Sequence, residues 1–391
     1  MKSFPTNPAS VDCRRWFRFG LAALLPCAMA ARARGEDHVD YRYEYYKEEG
    51  GRIEVNTHSV AFEKKLVDSV AVRGELVFDA ISGATPTGGV PAPGKMTVPV
   101  VQTRDVRRGG NLAFDVKLGR HTLAPLVAYS KENDYESKGI ALSDAIEFNN
   151  KNTILNLGVS HDFDRVRDNS LLNYQKKDTT DGLIGITQLL SPRTYLTANF
   201  TYGVSDGYLN DPYKAISFAG WIPYLGFPLT TPGTDTRPDH RERQVLLLSL
   251  THFFDKLNGS GEVAYRFGHD SFGIFSHTAT LNWHQKIGKH LIISPTFRFY
   301  EQTAADFYTV TVPGFAPNDG DPTRSKYYSA DHRLSHLMSF TYGVQASVII
   351  KDQIFLDFGY HRYEMYGLDN TTAASAYPQA DIYTIGVRFF F

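Results

Sequence analysis

Two kinds of stretch carry residue types that could do chemistry. Gly203-Val204-Ser205-Asp206-Gly207 matches the G-x-S-x-G pattern. In hydrolases that pattern sets a nucleophilic serine on a strand-to-helix turn, with a histidine base close by. Asp239-His240-Arg241 and Asp331-His332-Arg333 repeat one tripeptide, whose His and Asp could serve acid–base or metal chemistry. A plainer account competes with each. The G-x-S-x-G stretch ends an alternating segment and opens a Gly/Asp/Asn-rich loop, which is turn chemistry. Both Asp-His-Arg tripeptides are expected to open strands that leave long loops, where ion pairs anchor a rim. The other histidines, among them His121, His161, His269, His284, His290 and His361, show no metal-ligand spacing. No H-E-x-x-H, phosphate-loop or EF-hand pattern occurs. The expectation is a protein that is not an enzyme, with no catalytic, metal or cofactor residue.

The elements that must position these residues are strands. In "MSFTYGVQASVII" Met338, Phe340, Tyr342, Val344, Ala346, Val348 and Ile350 share one face. Ser339, Thr341, Gly343, Gln345 and Ser347 share the other. "TYLTANFTYG", "TATLNWHQK", "VDYRYEYY" and "LAFDVKLG" alternate in the same way. The segments run to ~10–13 residues, longer than the usual ~5–6 and suited to a tilted membrane crossing. Short connections are expected at Val67-Asp68-Ser69, Gly119-Arg120, Asn149-Asn150-Lys151, Ser191-Pro192-Arg193, Asp255 to Asn258, Gly288-Lys289 and Lys351-Asp352. Long ones lie between, at Ser82 to Thr103, Tyr208 to Pro238 and Thr311 to Ala330. Short inner turns and long outer loops are the habit of outer-membrane barrels. Seven short turns imply about 16 antiparallel strands, or 14 if the two-sided apolar "GLIGITQLL" and "QVLLLSLTHFF" are misassigned. Closure is required, because an open edge in lipid would leave backbone groups unpaired.

Alternation assigns charges to the lumen. Arg42, Glu44, Arg73, Glu75, Asp115, Lys117, Glu147, Arg266, Arg298, Asp357 and Arg388 fall opposite the apolar faces. An Arg or Lys facing lipid at the midplane would cost ~2–4 kcal/mol. Both signs occur in similar number, so the lumen would be wet and weakly selective. Overall, 41 basic residues meet 42 acidic ones. That balance argues against a nucleic-acid partner, which would call for a basic surface. Aromatics make up 13% of the chain, enough for girdles at both membrane interfaces.

Residues 1–33 read as a signal peptide, with a basic stretch, an apolar run from Phe19 to Ala31, and cleavage after Ala30 or Ala33. Residues 34–391 would form the barrel. Both cysteines, Cys13 and Cys27, lie in the leader, so the mature chain would hold no disulfide or thiol chemistry. The last strand resembles the terminal signature of bacterial outer-membrane barrels. Tyr383, Ile385, Val387, Phe389 and Phe391 carry it, and the resemblance implies recognition by the barrel-assembly machinery. Phe390 would point to the lumen beside Arg388.

The mature chain is also similar to a family of predicted barrels, the domain of unknown function thirty-five-seventy. The resembling stretches include "VDYRYEYYKEEGGRIEVNTHSV", "GELVFDAISGATPTG", "NDYESKGIALS", "DGYLNDPYKAI", "RPDHR", "IGKHLIISPTFRFY" and "ASAYPQADIYTIGVRF". The resemblance implies at most a link to extracytoplasmic redox processes. The leading expectation is a porin-like passive conduit for small polar solutes in the bacterial outer membrane. The alternative is a structural barrel that docks an exported redox or lipoprotein partner. The loops beginning at Ser82 and Tyr208 decide between an open and a plugged lumen.

Overall fold

The computed structural model describes residues 37–92, 94–167, 173–222, 227–314, 325–351 and 353–391. The leader segment 1–33, and Asp352 of the last short turn, lie outside the described residues. The first eight barrel strands are β1 His38–Glu48, β2 Glu54–Val67, β3 Val70–Pro86, β4 Val100–Leu118, β5 His121–Lys131, β6 Tyr135–Phe148, β7 Thr153–Arg167 and β8 Tyr174–Ser191. After β9 Thr194–Gly207 come two short strands, β10 Ala215–Ile222 and β11 Phe227–Thr234. The wall resumes with β12 His240–Phe254, β13 Gly259–Asp270, β14 Phe275–Ile287 and β15 Leu291–Gln302. A three-residue strand, β16 Thr311–Pro313, precedes β17 Leu337–Ile350, β18 Ile354–Gly367 and β19 Gln379–Phe390.

Sixteen of these strands form one closed antiparallel barrel, so the count of 16 stands and 14 does not. Pairing follows chain order, and the seam joins β1 to β19 from His38↔Phe390 to Glu48↔Ala380. The short turns fall where the sequence places them. Left-handed residues close several: Asn149, Asn150 and Lys151 have φ of 49°, 53° and 72°, and Asn258 has 50°. Asn accepts this conformation more readily than most side chains.

The two faces differ as lipid and water demand. Val263, Ile184 and Ile385 are 56%, 53% and 52% exposed on the outer face. Their sequence neighbours on the inner face are Glu262 and Ala264, Leu183 and Gly185, and Thr384 and Gly386. Several strands are longer than expected; β4 has 19 residues and β8 has 18. Their outer ends pair beyond the apolar band, where alternation of polarity is no longer required. The Ser82 loop shrinks accordingly, since β3 runs to Pro86 and β4 begins at Val100.

Above the barrel the long connections fold into a cap. The β10–β11 hairpin and β16 make a three-stranded sheet, with β16 parallel to β10. Ile216, Phe218, Val312, Tyr328 and Ala330 form its core, and Phe218 meets Tyr328 edge-on at 5.5 Å. A second cluster of Phe272, Ile274, Ala305 and Leu334 joins the cap to the β13–β14 connection. The β3–β4 connection leans on this sheet: Ala215 N–H donates to Thr87 O at 2.7 Å. Gly88, at φ +96°, allows it; a Cβ there would lie 2.8 Å from the carbonyls of both Ala215 and Ala330.

Candidate functional site

The cap is held by buried charge. Arg237 donates through Nη2 to Asp235 at 2.6 Å and to Asp331 at 3.0 Å, and all three side chains are almost wholly buried. Arg333 bonds both Asp331 and Asp211, and so ties the β15–β17 connection to the β9–β12 connection. Ser329 Oγ donates to Asp235 at 2.9 Å. Lys214 Nζ reaches Pro86 O and pins the hairpin to the end of β3. The chain reaches this arrangement through a turn. Asp331 accepts from Arg333 N–H at 3.1 Å and caps the 3₁₀ turn His332–Leu334.

Under the cap lies a cavity of about 110 Å³. The β9–β12 connection supplies Tyr208, Asp211, Tyr213 and Arg237, and Arg333 comes from the β15–β17 connection. The wall supplies Lys177, Thr179, Ser205, Arg241 and Arg243, with Asp105, Glu132 and Asp134 at one edge. The wall cations are held in place: Arg241 pairs with Asp270 and Lys177 with Asp164. Arg243 reaches Asp181 at 3.4 Å by crossing β9 at Gly203, where a Cβ would collide with the Asp181 carboxylate. Asp105, Glu132 and Asp134 bring carboxylate oxygens within 4.8 Å of one another. Asp105 Oδ1 accepts from Val106 N–H at 2.7 Å and Asn133 N–H at 3.2 Å, and Asp134 accepts from the Tyr213 hydroxyl. The trio therefore anchors the β5–β6 connection to the cap.

The G-x-S-x-G stretch is explained by structure. Gly203 clears the path of Arg243. Ser205 faces inward and shares a hydrogen bond with Thr179 at 3.0 Å. His240 bonds Asp206 at 2.6 Å on the outer face, opposite to Ser205. The Asp-His-Arg expectation needs correcting. His240 does open a strand, but Asp331-His332-Arg333 lies in the cap, three residues before β17. There the buried ionic network, not a strand rim, satisfies its charges. The two tripeptides also converge: Arg241 and Arg333 line the same cavity.

The lumen candidates fall as follows. Arg73 pairs with Asp115 at 3.2 Å, and Arg388 with Asp40 at 2.8 Å, with Arg42 at 4.0 Å from the same carboxylate. Asp357 is buried and accepts from the Ser347 hydroxyl. Arg298 lies 6.0 Å from the Tyr300 ring. Glu44 and Glu75 alternate inward on β1 and β3. Lys117 is exposed near the inner end of β4, on the face of Asp115. Glu147 pairs with Lys151 at the inner turn. Arg266 faces inward and is nevertheless exposed, so the lumen below the cap is open to water. Phe390 packs between His38 and Phe355, each 5.4 Å away, at the inner mouth. The terminal residues Tyr383, Ile385, Val387, Phe389 and Phe391 are exposed on the outer face. The cavity is not legible in the sequence, because it forms only where wall residues meet connections that carry no periodic signal.

The cap should respond to acid. Burial raises the Asp211 and Asp331 carboxyls, but Arg333 and Lys214 overcome it and hold both well below the usual range. Burial, and then Lys214, push His332 well below the ordinary imidazole value. A depressed His pKa means the open state takes up the proton first. Stability is then fully present above about pH 6.5 and is lost as pH falls below it. The two carboxylates add stability above about pH 3.9 and lose it only in stronger acid. Hydrogen-exchange protection in residues 208–222 and 325–336, relative to the intrinsic rate at each pH, is therefore expected to fall from pH 7.5 to 5. His332→Gln should flatten that response, and an unchanged slope would assign it elsewhere.

Comparison with known proteins fits this architecture. A search of curated proteins returned no match. Among solved structures, CdiB from Acinetobacter baumannii is 7% identical with a TM-score of 0.51; 92% of this chain covers 61% of that one. OmpT of Vibrio cholerae is 8% identical over 91% of this chain and 97% of its own, at a TM-score of 0.44. The siderophore receptor PirA from Pseudomonas aeruginosa is 12% identical over 91% of this chain, at 0.43. The chain spans 62% of that receptor's length. These likenesses concern fold alone. The chain folds as a closed antiparallel β-barrel, the fold it shares with CdiB. The profile described as "Protein of unknown function (DUF3570)" matches residues 21–384, and the chain belongs to that family.

Proposed function

We propose that this barrel is a conduit for small polar solutes whose outer mouth is narrowed by the cap. The observation that carries the reading is the cavity under the cap, lined by Arg237, Arg241, Arg243, Arg333 and Lys177 together with Asp105, Glu132, Asp134 and Asp211. Below it the exposed, inward-facing Arg266 marks a water-accessible lumen. The cavity lies directly beneath the cap, so on this reading the cap sets the width of the outer mouth. Charges of both signs favour polar solutes with weak selectivity. Reconstituted into planar bilayers, the protein is expected to give small, infrequent steps with little ion preference. A silent bilayer at all voltages sinks the conduit reading.

The buried ionic lock favours a second reading, in which the cap stays shut and the barrel docks an exported redox protein or lipoprotein at its inner mouth. Such a barrel would be silent in bilayers and would co-purify with that partner. Ser205 and His240 stand on opposite faces of the wall, so they do not form a serine–histidine pair.

A further inference from the structure

The register of the wall assembles a feature that no single strand displays. Arg108 pairs with Lys131, Lys131 with Glu136, Glu136 with Arg165, and Arg165 with Lys176. Five strands, β4 to β8, thus set four cations and one carboxylate in a single row across the outer face. At about 4.8 Å per strand the row spans about 19 Å. The four cations are exposed. Among the described residues no carboxylate forms an ion pair with them, and Glu136 lies 3.7 Å from Lys138 in the next row. Above the row, Arg104 and Arg167 add to the same exposed face. Asp178, one row below, is the other acid in the patch.

Past one mixed row of Tyr129, Lys138, Phe163 and Asp178, the wall turns apolar. Val127, Ile140 and Val159 are 57%, 53% and 51% exposed on the same face. The row therefore stands at the edge of the lipid-facing band, on the side of the long loops. The rest of the rim is different. There Lys47 pairs with Glu54 at 3.3 Å, and Arg362 with Asp381 and Glu364 at 3.3 and 3.4 Å. Glu242 and Glu301 add further acid on the same outward faces of β12 and β15.

We infer that β4–β8 form a binding surface for a phosphorylated lipid of the outer leaflet. Its phosphates sit on Arg108, Lys131, Arg165 and Lys176, and its acyl chains lie on Val127, Ile140 and Val159 beneath. Charge complementarity selects the headgroup: guanidinium and ammonium groups spaced one strand apart match a headgroup bearing more than one phosphate. Continuity with the apolar wall selects a lipid over a soluble phosphate. The surface is independent of the conduit and holds whether or not the cap opens.

The test uses the folded full-length barrel in detergent, titrated with fluorescently labelled bisphosphorylated lipid A. The variant R108Q/K131Q/R165Q/K176Q is expected to bind at least tenfold more weakly, given the contribution of each basic residue at an anionic surface. Lys47→Gln, outside the row on the same rim, should bind as the parent does. Dephosphorylated lipid A should bind the parent at least tenfold more weakly, and a large excess of inorganic phosphate should fail to displace the labelled lipid. If the fourfold variant does not fold, R108Q/K131Q and R165Q/K176Q each carry the comparison, with a several-fold loss expected. Equal binding by the variants, or by the dephosphorylated lipid, overturns the assignment. Displacement by inorganic phosphate would replace the lipid with a free anion and overturns it equally.

Discussion

Arg237→Met is expected to unlock the cap. The substitution keeps the length and removes the charge at the centre of the network. Asp235 loses its cation and retains the Ser329 hydroxyl, while Asp331 retains Arg333. Removing one partner of a buried pair costs about 3–5 kcal/mol, because the remaining charge stays out of water. The cost falls on the closed state alone, since an opened cap hydrates its carboxylates. That shifts the closed–open equilibrium by a hundredfold to several thousandfold. Bilayer recordings should show larger and more frequent steps. Hydrogen exchange in residues 230–239 should quicken while the barrel strands stay protected. Adding Asp235→Asn should restore part of the closure, because a neutral amide no longer needs the guanidinium. Unchanged currents with quickened exchange would mean that the cap is not the gate.

The second large effect concerns the wall. Val263 and Ala264 are neighbours at the middle of β13, one on each face. Val263→Arg places a guanidinium in hydrocarbon, at about 2–4 kcal/mol near the midplane. Ala264→Arg places the same group in the lumen, two residues from the exposed Arg266, and should be nearly neutral. Urea unfolding in lipid vesicles reads the difference directly. Equal destabilisation by the two substitutions would contradict the assignment of faces on which the barrel rests.

The contrast between wall and cap explains what the sequence could disclose. Lipid on one side and water on the other impose period two on every crossing strand. Val263, Tyr265 and Phe267 alternate with Ala264, Arg266 and Gly268 for that reason, and the strand count and inner turns follow. The cap obeys no such rule. Its parallel β10–β16 pairing joins Ser217 to Thr311, far apart in sequence, and no local pattern announces it. Asp331-His332-Arg333 looked like a strand opening because its twin, Asp239-His240-Arg241, is one. What separates them is the environment: Asp331 is sealed between two arginines supplied by different loops. The outer ends of β4 and β8 were underestimated because, beyond the membrane, either face can carry charge. The cationic row across β4–β8 was legible only in fragments, since one residue from each of five strands had to be brought into register.

The seam between β1 and β19 sets the order of events in biogenesis. Every other wall contact joins strands that are neighbours along the barrel sequence, so those hairpins can form as the chain emerges. The His38↔Phe390 pairing closes a loop of almost the entire described chain. Such a contact carries the largest closure entropy in the fold and comes late. Until Gln379–Phe390 arrives, β1 and β18 both present bare edges, which lipid penalises. A chain halted one strand early cannot hide that defect by local rearrangement. A barrel without Gln379–Phe390 cannot complete the hydrogen-bonded ring, and both bare edges would persist in lipid.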